Sequence, residues 1–329
     1  MQQDSADQRT PTYVGIPTYL HAPLARTTSE LREMAPDVAI IGAPVEMVVN
    51  RPGARFGPRA IRQAGYVGTP NDYLYHMGLD VYPTRVLNVV DFGDASCNPF
   101  SLEQSHQAIQ ARVAEALEAN AIPIVLGGDH SLSLPSATAV AQRYGAGSVG
   151  MVHFDAHADT WDVLYGSLAS HGSPMRRLIE SGAIPGRNFV QVGLRGYGPD
   201  RRVFDWMREQ GMRWHQMSDI EAKGFDAVLE EALAQAQEGP EHLYLSVDID
   251  VLDPAFAPGT GTPEPGGLST LELLRAVRRV VLMGRVVAMD VVEVSPPYDG
   301  PAGLAAEAAH RVVLEAISAL AWLRSRAAS

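Results

Sequence analysis

The stretch Ser246-Val-Asp-Ile-Asp-Val-Leu-Asp-Pro-Ala-Phe-Ala-Pro-Gly-Thr-Gly-Thr-Pro-Glu-Pro-Gly-Gly267 decides how the rest of the chain is read. It begins as the end of an apolar strand, Leu243-Tyr-Leu-Ser-Val-Asp-Ile-Asp250. It then breaks where Pro254, Pro258, Gly259 and Gly261 forbid regular structure. On an extended backbone Asp248 and Asp250, two apart, project to the same side. Two carboxylates aimed at one point repel unless a cation lies between them. The pattern recurs upstream in His153-Phe-Asp155-Ala-His157-Ala-Asp159, after the apolar run Ser148-Val-Gly-Met-Val, and again in Val125-Leu-Gly-Gly-Asp-His130-Ser131. A lone Asp-x-Asp at a strand end is ordinarily a solvated turn. Three strand ends delivering carboxylates and imidazoles together point to metal.

Working outward, short apolar runs alternate with helical patterns. Strands are expected at Val38–Pro44, Val86–Asp94, Ile122–Leu126, Ser148–Phe154, Phe189–Gly193, near Arg213, Leu243–Asp248 and Val286–Val292. Helices are expected from about Arg59, at Ser101–Asn120, from Ser131, and at Pro174–Ser181, Arg201–Gln210, Asp226–Gln237, Ser269–Leu282 and Leu304–Arg324. Ser101 with Gln104, and Ser269 with Glu272, read as capping boxes. This alternation predicts an α/β fold with a mostly parallel central sheet between two helical layers. Residues 1–35, interrupted by Pro11, Pro17 and Pro23, read as an irregular N-terminal arm, and 36–329 as one domain. In such sheets ligands bind beyond the carboxyl ends of the strands, where every polar cluster named above lies.

The 329 residues are 46% hydrophobic, enough for a large core, and carry a net charge of −12 with no Lys/Arg run. Nucleic acid is therefore not expected as a partner. No apolar run is long enough to span a membrane, and residues 1–12 lack the apolar centre of a signal peptide. The single cysteine, Cys97, cannot form an intrachain disulfide. A cytoplasmic location is expected.

The candidate ligands are His130, Asp155, His157, Asp159, Asp248 and Asp250, with no thiolate among them. Such a set suits Mn(II), with Ni, Fe, Co or Zn also accommodated, and disfavours structural zinc. Four carboxylates exceed what one divalent ion requires and balance two, which can share a bridging hydroxide as nucleophile. Glu293 interrupts the apolar run before Val294-Ser-Pro-Pro-Tyr298, where a carboxylate must be paired or functional. His171 lies in a loop beyond the Asp-x-His-x-Asp segment and can serve as an acid/base.

These segments, Gly127-Gly-Asp-His-Ser131, Asp155-Ala-His-Ala-Asp159, Ser246-Val-Asp-Ile-Asp250 and Glu293, resemble the signature set of the ureohydrolases, the arginase/agmatinase family. Arg51-Pro-Gly-Ala-Arg-Phe-Gly-Pro58 and Gly259-Thr-Gly-Thr-Pro-Glu-Pro-Gly-Gly267 resemble its agmatinase-like branch. The resemblance covers roughly residues 36–324. It implies an arginase-like three-layer α/β/α fold, two Mn(II) per chain with Ni(II) as the alternative, and hydrolysis of a guanidino group to urea and an amine. It further implies a homotrimer or homohexamer, with a paralogous subunit as a variant.

Carried over by position, His130, Asp155, Asp159 and Asp248 would hold one ion. Asp155, His157, Asp248 and Asp250 would hold the other. Glu293 would grip the guanidinium, His171 would relay protons, and Asp159 would also position the nucleophile. Trp161 stands where arginases carry an Asn that grips the amino acid, so arginase proper is not expected. Val45-Glu-Met-Val-Val-Asn50 replaces the small-residue loop usual in agmatinases. Glu46 and Asn50 are therefore expected at the substrate pocket with Trp161. The bulk of this loop leaves guanidinobutyrate, guanidine or a substituted (bi)guanide as alternatives to agmatine. A non-catalytic subunit would have lost ligands, and a single-metal deacetylase would not need two Asp/His clusters.

Overall fold

Continuous apolar runs become strands when both faces of a sheet are covered, because neither face then needs polar residues. The computed structural model describes residues 14–47, 50–65 and 74–327, and there the expected runs all form strands. They are β1 (Val38–Ala43), β2 (Val89–Asp94), β3 (Ile122–Gly127), β4 (Val149–Phe154), β5 (Phe189–Leu194), β6 (Arg213–Gln216), β7 (His242–Asp248) and β8 (Val286–Val292). Every pairing between them is parallel, and the order across the sheet is β2-β1-β3-β8-β7-β4-β5-β6. The sheet is thus wholly, not mostly, parallel.

Alternation along the strands sends side chains into two cores. On one face Val38, Ile40, Ile124, Leu126, Val152, Phe154, Leu245 and Met289 pack with helices α2 (Gly57–Gln63), α9 (Phe225–Ala236), α10 (Thr270–Met283) and α11 (Leu304–Ala327). On the other, Ala39, Ile41, Val125, Met151 and Tyr244 pack with α1 (Thr28–Met34), α4 (Leu102–Glu118), α5 (Ser133–Tyr144), α6 (Pro174–Glu180) and α7 (Arg201–Glu209). This is the expected α/β/α arrangement. Two further helices, α3 (Pro83–Val86) and α8 (Met217–Lys223), lie where none was expected. Among the described residues no helix is long and apolar enough to cross a membrane.

The N-terminal stretch departs from the expectation of an irregular arm. Its first thirteen residues lie outside the described ones. Beyond Pro23 no proline hinders a helix, and α1 forms, capped by Thr27, whose side chain accepts the Glu30 N–H. The segment before it is docked: Tyr19 is fully buried, donates its hydroxyl to the His310 carbonyl at 2.8 Å, and its N–H to Asp91 at 2.8 Å. Of the two capping boxes, Ser269 and Glu272 form both reciprocal bonds at the start of α10. Ser101 accepts the Gln104 N–H, but the Gln104 side chain accepts from Asn98 instead of closing the box.

Candidate metal centre

Four neighbouring strands, β3, β8, β7 and β4, end side by side, and their carboxyl ends carry the whole constellation. The turns after β3, β4 and β7 are each shaped by an aspartate accepting the N–H two residues on. Asp129 Oδ1 takes the Ser131 N–H at 3.0 Å, Asp155 Oδ1 that of His157 at 2.6 Å, and Asp248 Oδ1 that of Asp250 at 2.8 Å. The device spends one carboxylate oxygen on the turn and leaves the other to point elsewhere. It also corrects one expectation. Asp248 and Asp250 do not share a side through strand alternation, because β7 stops at Asp248 and Ile249–Val251 is a single 3₁₀ turn.

The freed oxygens of Asp155 and Asp248, joined by one from Asp159, converge on His130. Its Nδ1 lies 3.1 Å from Asp155 Oδ2, 3.0 Å from Asp159 Oδ2 and 3.3 Å from Asp248 Oδ2. The ring is fully buried, and Nδ1 has no hydrogen bond of acceptable geometry to any of the three. On the far side Nε2 meets Ser246 Oγ at 2.9 Å, while Ser246 donates to Asp290 Oδ1 at 2.7 Å. The serine proton is thus committed to Asp290, so His130 donates from Nε2 and turns the Nδ1 lone pair toward the carboxylates. Asp290, fully buried, also accepts from Ser133 at 2.6 Å and Tyr244 at 2.6 Å.

A second group adjoins the first. His157 Nδ1 lies 3.0 Å from Asp250 Oδ2 and 3.5 Å from Asp155 Oδ1. Asp250 is held from two sides, its Oδ1 accepting the Ala156 N–H at 3.1 Å and its Oδ2 the Thr262 hydroxyl at 3.1 Å. Donors about 2.1 Å from an octahedral ion stand about 3 Å from one another, the spacing found in both groups.

The electrostatics ask for positive charge. Burial, then the facing carboxylates of Asp250 and Asp155, push the Asp248 carboxyl well above its usual range. Burial chiefly pushes Asp250 up as well. Burial would lower His130, but the three carboxylates of Asp155, Asp159 and Asp248 crowded at Nδ1 outweigh it and favour a positive charge there, raising the imidazole well above its ordinary value. His157 is likewise carried against burial to about 12 by Asp250 and Asp155. The donor set and the orphaned, buried Nδ1 fit two divalent cations, one per group, with Asp155 and Asp248 near both.

Among the remaining expected residues, Glu293 closes β8 with a left-handed φ of 65° and is buried. Its Oε1 accepts the His130 N–H at 2.9 Å, and its own N–H is given to the Gly128 carbonyl at 2.9 Å. Burial and the nearby Asp129 push its carboxyl well up. Asp159 also adopts a left-handed φ, 50°. A backbone of that kind costs about 1 kcal/mol or more in a non-glycine residue and is held here by the surrounding packing. His171 sits in the loop after Trp161, with Nε2 buried and unpartnered, and the Trp161 N–H donates to the Gly172 carbonyl at 3.0 Å.

Glu46 is a correction. Its carboxylate accepts from the Gly53 and Ala54 backbone N–H groups and from Nε of the Arg55 guanidinium, with which it pairs, so it braces the Arg51–Pro58 loop and is not free for a ligand. Asn50 is exposed, and Val48 and Val49 lie outside the described residues.

Sequence reasoning passed over several residues that build the site. His153 Nδ1 accepts from Gln191 at 2.8 Å, so its Nε2 donates to Asp155 Oδ2 at 2.8 Å and it supports that carboxylate. Asp129 Oδ2 accepts the Met47 N–H and ties the 45–47 loop to the β3 end. Only Asp129 and His153 carried a signal, as polar neighbours of the motif residues.

The Arginase family model matches residues 36–319. The guanidinobutyrase of Pseudomonas aeruginosa is 37% identical over 300 residues, which are 91% of either chain. The guanidinopropionase of the same organism is 40% identical over 296 residues, covering 88% of this chain and 87% of its own. Among solved structures, the proclavaminate amidino hydrolase of Streptomyces clavuligerus superposes with a TM-score of 0.83 at 35% identity, over 95% of this chain and 99% of that one.

Proposed function

The chain belongs to the arginase family, and on that premise we propose that it hydrolyses a small guanidino compound to urea and an amine. The observation that carries this reading is the convergence of Asp155, Asp159 and Asp248 on the orphaned Nδ1 of His130 at 3.0–3.3 Å. His130, Asp155, Asp159 and Asp248 hold one divalent cation in this reading, and Asp155, His157, Asp248 and Asp250 the other. When bound, the pair of cations supplies a water acidic enough to attack at neutral pH. Oxygen and imidazole donors without thiolate suit Mn(II), and Ni(II) is the alternative the same donors accept.

The protein's own groups divide the remaining work. Glu293, anchored to the His130 N–H through one oxygen, offers the other to the guanidinium, whose planar N–H groups match a carboxylate. Asp159, fixed by its left-handed backbone, orients the attacking water. His171, whose Nε2 is unpartnered inside the protein, delivers the proton the departing amine needs. Trp161 packs against Gly172 and walls the loop that carries His171.

The tail of the substrate is read from the 45–47 loop. With Glu46 committed to the Arg55 side chain and the Gly53 and Ala54 N–H groups, this loop presents no free carboxylate to a second ammonium group. Burying that ammonium unpaired would cost several kcal/mol, on the order of a lost charge-assisted hydrogen bond or more. A guanidino acid carries no second ammonium for this loop to leave unpaired, and the names of the similar guanidinobutyrase and guanidinopropionase favour it over agmatine. Guanidine and a substituted (bi)guanide follow the same logic as neutral-tailed alternatives. A urea-release screen over guanidinobutyrate, guanidinopropionate, agmatine, guanidine, arginine and a biguanide, with Mn and Ni supplied separately, tests the reading. Release from none of them would overturn it.

The same reading takes residues 36–329 as one catalytic domain with 1–35 as its arm. It also takes a homotrimer or homohexamer in the cytoplasm, and light scattering checks the assembly.

A further inference from the structure

Arg195, one residue past β5, has an unusual set of partners. Its guanidinium donates to six main-chain carbonyls and pairs with no carboxylate among the described residues. Nη2 reaches Asp250 at 2.7 Å, Glu264 at 2.6 Å and Leu252 at 3.2 Å; Nη1 reaches Val251 and Gly193, both at 3.2 Å; Nε reaches Glu264 at 3.1 Å and Pro265 at 3.2 Å. Its backbone N–H donates to the Ala156 carbonyl at 3.0 Å.

These contacts span both turns that carry the second cation group. Ala156 lies between Asp155 and His157, and its N–H in turn holds Asp250 Oδ1 at 3.1 Å. The three carbonyls of the Asp250–Leu252 turn all point at one guanidinium. The Glu264 and Pro265 carbonyls bring in the loop whose Thr262 hydroxyl holds Asp250 Oδ2 at 3.1 Å. Gly267 leaves the room this requires, since a Cβ there would come within 2.5 Å of Arg195 Nη2. None of the contacts reaches the β3 end, where His130 stands, nor Asp159.

We infer that Arg195 is a positioning residue that sets the affinity of one cation only, that held by Asp155, His157, Asp248 and Asp250. The flat fork of guanidinium donors is what allows one side chain to hold carbonyls from three separate segments; an ammonium has three donors and no such plane. A cation near carbonyl oxygens also withdraws electron density from that turn without neutralising the Asp250 carboxylate, which stays available as a ligand. This inference rests on the two-cation reading above.

The test is a Mn(II) titration of chelator-stripped full-length protein, followed by calorimetry and by electron paramagnetic resonance of the loaded sample. Wild type is expected to bind two equivalents and give the multiline signal of an exchange-coupled pair. Arg195→Ala is expected to keep the first equivalent at wild-type affinity and to bind the second about 10–100-fold more weakly, the range for losing a supporting contact to a ligand. At one equivalent excess its spectrum should be that of isolated Mn(II). Arg195→Lys, which keeps the charge and is the milder change should the alanine variant not fold, is expected to behave the same way. Equal weakening of both equivalents would make Arg195 a general staple of the fold and overturn the inference. So would wild-type binding in either variant. Fewer than two equivalents in wild type would overturn the two-cation reading itself, a separate failure seen before any variant is made.

Discussion

Glu293 Oε1 accepts the backbone N–H of His130 at 2.9 Å, across 163 residues of sequence. The carboxylate assigned to the guanidinium is therefore aligned by the residue assigned to the first cation. The two functions share one anchor.

Glu293→Gln should preserve that anchor, because the amide oxygen still accepts the His130 N–H, while removing the charge that pairs with substrate. Metal content should stay at the wild-type value, and kcat/KM should fall on the order of 10²–10³-fold. Steady-state kinetics beside metal analysis checks this; near-normal turnover would make Glu293 structural.

Asp248→Ala removes the carboxylate that faces both cation groups and whose Oδ1 holds the Asp250 turn. Both equivalents of metal should be lost, and activity with them. Elemental analysis that still finds two ions per chain would show that Asp248 does not bridge.

Specificity should respond to residues 47–49. With Glu46 kept to brace Arg55, replacing 47–49 by Gly, Ser and Thr should raise activity on agmatine relative to guanidinobutyrate by about tenfold, the scale of a few pocket contacts. An unchanged ranking would remove this loop from the specificity problem.

His310 makes stability fall with acidity by a route outside the centre. It is buried against Tyr19 with Nδ1 2.9 Å from the Ile61 carbonyl, and burial brings its pKa down to about 4. The folded chain holds it neutral while the unfolded chain protonates it below about 6.5. The destabilisation is absent above pH 6.5, grows as pH falls toward 4, and then levels off at roughly 3 kcal/mol at most. Denaturant melts of chelated protein at pH 7.5 and 5 should show a smaller loss in His310→Gln than in wild type. Equal losses would place the acid sensitivity elsewhere.

What the sequence disclosed depended on whether the cause was local. The strands were readable because burial on both faces turns each into an uninterrupted apolar run. The six ligands were readable because they cluster in short Asp/His motifs directly after apolar strand runs, as in Asp155-Ala-His-Ala-Asp159 and Asp248-Ile-Asp250. The short α3 and α8 carry too few residues for a period to show. Ser246, Asp290 and Arg195 gave no signal, since their roles are defined by partners on other strands. Glu46 misled for the same reason: a carboxylate near the pocket says nothing of Arg55 until the loop is folded. The expectation that Asp248 and Asp250 share a strand face failed because the Asp248 side chain itself ends the strand by capturing the Asp250 N–H.

The strand order β3-β8-β7-β4 has a consequence for how the protein is made. During synthesis β3 and β4 leave the ribosome with His130, Asp155, His157 and Asp159 already in place. The two strands that belong between them, residues 242–248 and 286–292, come later. Until then β3 and β4 lack the spacer that sets them three strand intervals, about 14 Å, apart. A nascent chain halted before residue 286 owns every ligand yet cannot close the sheet around them. On the two-cation reading, the site that includes His130 would wait for β8, whereas the group of Asp155, His157, Asp248 and Asp250 lies on the directly paired β4 and β7 and would be complete before residue 286 is made.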